Sequence, residues 1–255
     1  MDEVFKVKSG VDWADLSTGT LYIREKKLST LIENSDFIDS IFHTWIEKKP
    51  RDNEKKMLNS VLVSFIGGWS IIPPVVFSAR LAATTKAPMA QCLASGFSAS
   101  GPAHTSAIEK IMDIYLTTDI DDIEGFVEGK LSKSEKIPGF GHPVLHKDPR
   151  PAILRKLAED NEIVGDAIRK YDKILDILTK EKGIFANIDG MAGAILVDLG
   201  FRDQSFGPAF FLMGRSLAMT AHIIEEYRNP AFSALNLVQP GFEKIKYKYR
   251  DTLEK

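Results

Sequence analysis

Between Met57 and Ala103 the chain carries only two charged residues, Arg80 and Lys86, and residues 57–79 carry none. No other feature restricts the fold as much. An uncharged run of this length first raises the question of a membrane span. Gly67-Gly68, Pro73-Pro74 and the scattered Asn59, Ser60, Ser64 and Ser70 interrupt it, so a pair of buried helices is the better reading. The run is also more apolar than a single outer face requires. Part of it is therefore expected to be covered by another subunit, because large apolar surfaces on soluble proteins mark contacts.

The chain has 255 residues, 44% apolar and 27% charged, which suits one large domain or two modest ones. A globule of this size buries roughly 70–75% of its unfolded surface and needs no staples. With 33 Lys plus Arg against 35 Asp plus Glu the net charge is −2, so the electrostatic footprint of a nucleic-acid binder is missing. The single cysteine, Cys92, excludes an intramolecular disulfide and a multi-thiolate zinc site. Met1-Asp2-Glu3-Val4-Phe5 does not read as a secretory signal. The expectation is a soluble cytoplasmic protein that binds neither nucleic acid nor membrane.

Periodicity gives the elements. Phe37, Ile41 and Trp45, with Ile38, Phe42 and Ile46, mark an amphipathic helix over 35–48, capped by Ser35 or Asp36 and stopped at Lys48-Lys49-Pro50. Residues 103–136 read as two polar-faced helices broken near Thr117-Thr118-Asp119, and 137–150 as a Pro/Gly loop. Pro151 to Lys182 reads as two charged amphipathic helices, Ile188 to Leu199 as a short apolar one. Phe206 to Tyr227 is a long apolar helix opened by Gly207-Pro208. The charged tail, 241–255, is expected on the surface. No valine/isoleucine alternation is sustained, so the predicted fold is all-α.

Taken singly, the candidate sites are weak. Gly96-Phe97-Ser98-Ala99-Ser100-Gly101 misses the glycine a nucleophile elbow needs at 100. His142 and His146 have zinc-helix spacing, but Pro143 stands where such a helix has glutamate; no metal is expected. Gly139-Phe140-Gly141 is a common phosphate-loop lookalike. Arg215 is more informative, being the only formal charge from Phe206 to Ile224. An unpaired buried charge costs several kcal/mol or more, on the order of any single folding contribution. Arg215 therefore either pairs with a fixed carboxylate or is reserved for a substrate carboxylate, which arginine grips in bidentate fashion. Asp189, at the mouth of an apolar helix, is either an N-cap or a base.

Together these residues resemble the citrate synthase superfamily: citrate synthases, 2-methylcitrate synthases, citryl-CoA lyases and the C-terminal part of ATP-citrate lyase. Ser100-Gly101-Pro102-Ala103-His104 looks like the family's Gly-Pro-x-His. Pro138-Gly139-Phe140-Gly141-His142-Pro143-Val144-Leu145, with Asp148-Pro149-Arg150, is similar to its Gly-His loop and downstream Asp-Pro-Arg. Asn187-Ile188-Asp189 looks like its Asn-Val-Asp, and Gly214-Arg215-Ser216 with Ala221-His222 resembles its last long helix. Leu28 to Ile32 and the helix ending at Lys49-Pro50 look like its N-terminal helices. The resemblance covers roughly residues 20–240, and four motifs in family order are far more specific than any one of them.

The resemblance implies an all-α, citrate synthase-like fold. A large domain (1–105 and 203–255) would carry a smaller inserted helical domain (106–202), with the active site in the cleft between them. It implies an enzyme, an acyltransferase or a citryl-CoA lyase, that makes or breaks a carbon–carbon bond between an acyl-CoA such as acetyl-CoA and a 2-oxo acid such as oxaloacetate. Asp189 would be the base, His104 the hydrogen-bond donor to the thioester oxygen, and His142 the group at the oxo-acid carbonyl. Arg150 and Arg215 would hold substrate carboxylates. Ile137, Pro138, Gly139, Phe140 and Gly141, with His146 and Lys147, would meet CoA, and the protein would be a homodimer or larger homo-oligomer. His43 and His222 are read as structural.

Three positions depart from the family pattern. No histidine lies between His43 and His104, where the family carries a His-x-Asp-His-Glu-like stretch; Gly67-Gly68-Trp69-Ser70-Ile71 stands there instead. Gln239-Pro240 replaces Arg-Pro, and His146 replaces a CoA-phosphate arginine. These departures, with the chain's length, lean toward a citryl-CoA-lyase-like or altered-substrate member over an ordinary citrate synthase. They also favour the rival class, a non-catalytic CoA- or acid-binding homologue with a regulatory or assembly role.

Overall fold

The computed structural model describes residues 6–68, 70–142 and 145–230. The tail and Gln239-Pro240 lie outside them. The chain divides into two compact units: residues up to Val61 with Ile111–Phe206, and Leu62–Lys110 with residues from Gly207 on.

The first unit opens with an antiparallel meander, β1 (Lys6–Lys8), β2 (Asp12–Asp15), β3 (Thr20–Ile23) and β4 (Lys26–Lys27). Sequence periodicity gave no sign of it, because strands of two to four residues are too short to display alternation. Trp13 and Tyr22 face each other in register and stack at 3.8 Å. Arg24 donates from Nε and Nη2 to the carbonyl of Thr44, joining the meander to α2. His43 bonds the carbonyl of Ile23 at 3.1 Å.

Next come α1 (Leu28–Asn34), α2 (Phe37–Ile46) and α3 (Asp52–Ser64). Asp36 caps α2 in a capping box with Asp39. The helix stops at Glu47, which turns left-handed, two residues short of the predicted end. Phe42, Trp45, Phe201 and Phe206 form an aromatic cluster with centroid spacings of 5.1–6.5 Å. The remaining helices of this unit are α7 (Ile123–Ser132), α8 (Arg150–Asp160), α9 (Asp166–Lys182) and α10 (Ile188–Asp198), with α6 (Pro102–Thr117) from Ile111 on.

The helix α10 is buried on nearly every side, as an apolar helix without a polar face must be. It packs against α8 and α9. Its last residue, Asp198, accepts from the N–H groups of Gly165, Ala167 and Ile168 and so caps α9. The whole of α10 is thereby fixed at one end.

In the second unit the uncharged stretch forms not a pair of helices but three segments: the end of α3, α4 (Pro74–Ala83) and α5 (Met89–Ser98). The prolines Pro73, Pro74 and Pro88 set the breaks. α11 (Phe206–Arg228) joins them in a core of Val75, Val76, Ala79, Ala83, Cys92, Met219 and Ile223. Small residues let these helices approach closely; a Cβ on Gly96 would lie 2.8 Å from the Val75 carbonyl oxygen. Arg80 of α4 reaches α11, pairing with Glu225 and Glu226 and donating to Nδ1 of His222. Among the described residues no helix is long and apolar enough to cross a membrane.

Candidate active site

In the first unit the Pro-Gly loop is bound against the entry to α10. Phe140 bridges to Ala186, and the N–H of Gly141 donates to the Phe185 carbonyl at 2.7 Å. Asn187 completes the join. Its backbone N–H donates to the Gly139 carbonyl at 3.0 Å and its Nδ2 to the Gly141 carbonyl at 2.7 Å. Its Oδ1 accepts from the N–H of Asp189 at 3.0 Å. Asn187 is therefore the N-cap of α10. Of the two sequence readings of Asp189, the N-cap one is corrected: the cap is two residues earlier. Asp189 sits half-buried in the first turn.

Loop and helix cross so tightly that neither can carry a side chain there. A Cβ on Gly139 would lie 2.6 Å from the Gly190 Cα, and a Cβ on Gly190 would lie 2.5 Å from the Gly139 oxygen. Gly139 also has φ +79°, a region closed to most residues. From α6, the Tyr115 hydroxyl donates to the Gly190 carbonyl at 3.1 Å inside the core.

His142 follows the crossing. Its Nδ1 accepts from the N–H of Leu145 at 2.9 Å, so the neutral ring carries its proton on Nε2. Burial lowers its pKa first, Asp148 opposes that, and the Arg150 charge lowers it further.

Asp148 is buried and accepts four hydrogen bonds. Arg150 supplies three, from its N–H at 3.0 Å, Nε at 2.9 Å and Nη2 at 2.8 Å; the N–H of Ile188 supplies the fourth at 3.1 Å. Burial alone would raise this carboxyl, but the Arg150 and backbone bonds outweigh it and hold the pKa below the ordinary value. His142, Arg150 and Asp189 thus belong to one hydrogen-bonded frame. Beyond it, His146 lies edge-on to Phe185 at 5.5 Å and the Lys147 ammonium stands 5.0 Å from the same ring, both exposed. Ile137 and Phe140 are buried, with Phe140 stacked on Tyr171, so they anchor the loop, while Pro138 is half-buried.

His104 and Arg215 lie in the other unit and share a neighbour, Phe211. The His104 ring meets Phe211 edge-to-face at 5.6 Å, and the Arg215 guanidinium lies 5.1 Å from the Phe211 centroid. His104 Nε2 is shielded from solvent and hydrogen-bonds to nothing among the described residues. Burial, then the Arg215 charge, holds the ring's pKa below the usual histidine value. Arg215 is almost fully buried and donates from Nη1 to the Ile66 carbonyl at 3.3 Å. A Cβ on Gly67 (φ +124°) would fall on that same Nη1. Gly67, in the stretch that lacks the family's histidine, is what admits the guanidinium.

Asp148 and Asn187 stand inside the family-like motifs with no role assigned from sequence, and nothing in the sequence marks the roles of Gly67, Gly190 and Phe211. An aspartate two residues before an arginine was the one visible signal. Glycine and phenylalanine roles set by distant backbone leave none. Among the described residues no three His, Cys, Asp or Glu side chains gather as a metal site.

These arrangements can be set beside known proteins. A family model described as the C-terminal domain of citrate synthase matches residues 13–240. The citrate synthase of Heyndrickxia coagulans is 33% identical over 191 residues, 71% of this chain and 50% of that protein. The citrate/2-methylcitrate synthase of Bacillus subtilis is 30% identical over 210 residues, 79% of this chain and 54% of that one. The chain thus spans about half the length of these curated relatives. The solved citryl-CoA lyase of Hydrogenobacter thermophilus superposes with a TM-score of 0.81 at 27% identity, covering 94% of this chain and 93% of that one. The family match spans the Gly-His loop, the Asn187 cap and the Arg215 helix alike, and this chain belongs to the citrate synthase family.

Proposed function

We propose that the chain is an enzyme that breaks or forms the carbon–carbon bond between an acyl-CoA methyl carbon and a 2-oxo acid, with cleavage of a citryl-CoA-like thioester as its main reaction. The observation that carries this reading is the single frame holding His142, Arg150 and Asp189. A thioester methyl group is a poor carbon acid. Its deprotonation needs a base at carbon and a donor at oxygen, where charge develops. Asp189 is the base, and His104 gives its Nε2 proton as a hydrogen bond to the enol oxygen. Its depressed pKa keeps that ring neutral, so it donates without carrying charge.

In cleavage, His142 takes the proton of the tertiary hydroxyl, the carbon–carbon bond breaks, and the electron pair becomes the enol of acetyl-CoA. Asp189, which enters this direction as the carboxylic acid, gives its proton to the methyl carbon, and the proton taken by His142 leaves to solvent, from which Asp189 is reloaded. Arg150 and Arg215 hold substrate carboxylates. Residues 137–141 with His146 and Lys147 receive CoA.

The structural likeness to a citryl-CoA lyase supports cleavage over condensation. The missing upstream histidine points the same way, since each charge-assisted contact to a carboxylate contributes about 1.5–3 kcal/mol. The homo-oligomer belongs to this proposal, supported by the exposed Val63, Ile72, Phe97 and Leu217 of the second unit. So do the cytoplasmic location and the division into a large domain (1–105, 203–255) and a small one (106–202).

The test is chromatographic. Citryl-CoA incubated with the protein is expected to yield acetyl-CoA and oxaloacetate. Failure to cleave citryl-CoA, together with failure to condense acetyl-CoA with any of a panel of 2-oxo acids, overturns the proposal. Calorimetric CoA binding without either reaction would instead mark a binding homologue.

A further inference from the structure

We propose that Asp148 is a positioning residue for both halves of the reaction, holding Arg150 for the acid and, through a separate bond, the first turn of α10 for Asp189. The inference rests on the function proposed above. The two tasks use different contacts. Arg150 is gripped side-on by Nε and Nη2, which fixes the plane of its guanidinium. The fourth bond comes from the N–H of Ile188, forty residues away, at the first position of α10.

That N–H is one of the donors a helix start leaves without an intrahelical partner. Asn187 serves the next one, at Asp189. The carboxylate and the Asn187 amide therefore fix consecutive N–H groups beside the base. An aspartate that merely closed the Asp-Pro-Arg turn would bond Arg150 alone; the bond to Ile188 is what this role does not explain. Asp148 is also completely buried at its carboxylate, where a charge persists only if such bonds hold it.

The two links can be cut together or separately. Asp148→Ala removes both acceptor oxygens and so cuts both links at once, the Oδ2 that Ile188 shares with Arg150 Nη2 included. Ile188→Pro deletes only the N–H. Proline is favoured at a first helical position, and Asn187 before it is already extended (φ −105°, ψ 178°). Ile188→Val controls for lost side-chain packing.

Two readouts are needed: the KM and kcat of citryl-CoA cleavage, and the rate at which acetyl-CoA methyl protons exchange in D2O, a step that uses Asp189. D148A is expected to raise KM and slow exchange, each by roughly ten- to a hundredfold. In an Arg150→Gln background it still slows exchange. I188P slows exchange about tenfold with KM within twofold of I188V. A smaller folded fraction would lower kcat and exchange together and leave KM alone, and thermal melts are recorded for each variant. If D148A does not fold, I188P carries the test.

Exchange by I188P equal to that of I188V, or D148A adding nothing to Arg150→Gln, overturns the inference while the function stands. A wild type that neither cleaves citryl-CoA nor exchanges acetyl-CoA protons overturns both.

Discussion

Gly190→Ala separates a crossing contact from an ordinary helical glycine. Alanine in place of a mid-helix glycine normally stabilises by about 1 kcal/mol. Gly129 of α7 meets that case, because a Cβ there would touch nothing within 4 Å. Gly129→Ala should therefore raise the melting temperature by about 2–4 °C, the shift expected per kcal/mol at this size. Gly190 has the same helical propensity and the opposite surroundings. Its new Cβ would stand 2.5 Å from the Gly139 carbonyl oxygen and 3.2 Å from its carbon. The obstacle is backbone, tied by the Asn187 N–H and the Phe140–Ala186 bridge, so no side chain can swing aside. Overpacking of this kind costs roughly 1–3 kcal/mol, and straining the Asn187–Gly139 bond adds about 0.5–1.5 kcal/mol. Set against the propensity gain, the net effect is a loss of about 1–3 kcal/mol. Paired thermal melts of the two variants and wild type read the sign directly. A Gly190→Ala protein as stable as Gly129→Ala would refute the crossing, and with it the frame that carries His142 and Asp189.

Two further outcomes follow. Cleavage needs His142 neutral, and burial holds its pKa below the ordinary value of 6.5. The kcat/KM profile should therefore fall on an acid limb with its midpoint below 6.5; a midpoint above 6.5 contradicts this. Gly67→Ala puts a Cβ on Arg215 Nη1 and should raise the KM for the acid-bearing substrate about tenfold, the charged hydrogen bond being worth about 1.5 kcal/mol or more. Unchanged KM in steady-state assays would show that Arg215 does not need that backbone.

The long helices were legible because their apolar residues recur with the helical period: α2 from Phe37, Ile41 and Trp45, and α11 from its uncharged run around Arg215. The meander escaped because its strands are two to four residues long. The uncharged stretch was misdivided because composition there is uniform, and only Pro73-Pro74 and Pro88 show where helices begin. For the site, motifs placed the chemical groups on the chain but not their supports. Asp189 is a plausible cap on paper; only backbone geometry moves the cap to Asn187. Gly67 and Gly190 owe their identity to atoms of Arg215 and Gly139, far away in sequence. Asp148 reaches Ile188 across forty residues, a link that no local pattern encodes.

The central claim is that Asp189 moves a proton at the acyl-CoA methyl carbon. Proton NMR of acetyl-CoA in D2O, with a 2-oxo acid present, follows that step alone. The wild type should wash out the methyl signal, and Asp189→Ala, with an unchanged melting temperature, should leave it at the enzyme-free rate. A methyl signal lost equally fast with Asp189→Ala, or preserved with the wild type, would contradict the claim.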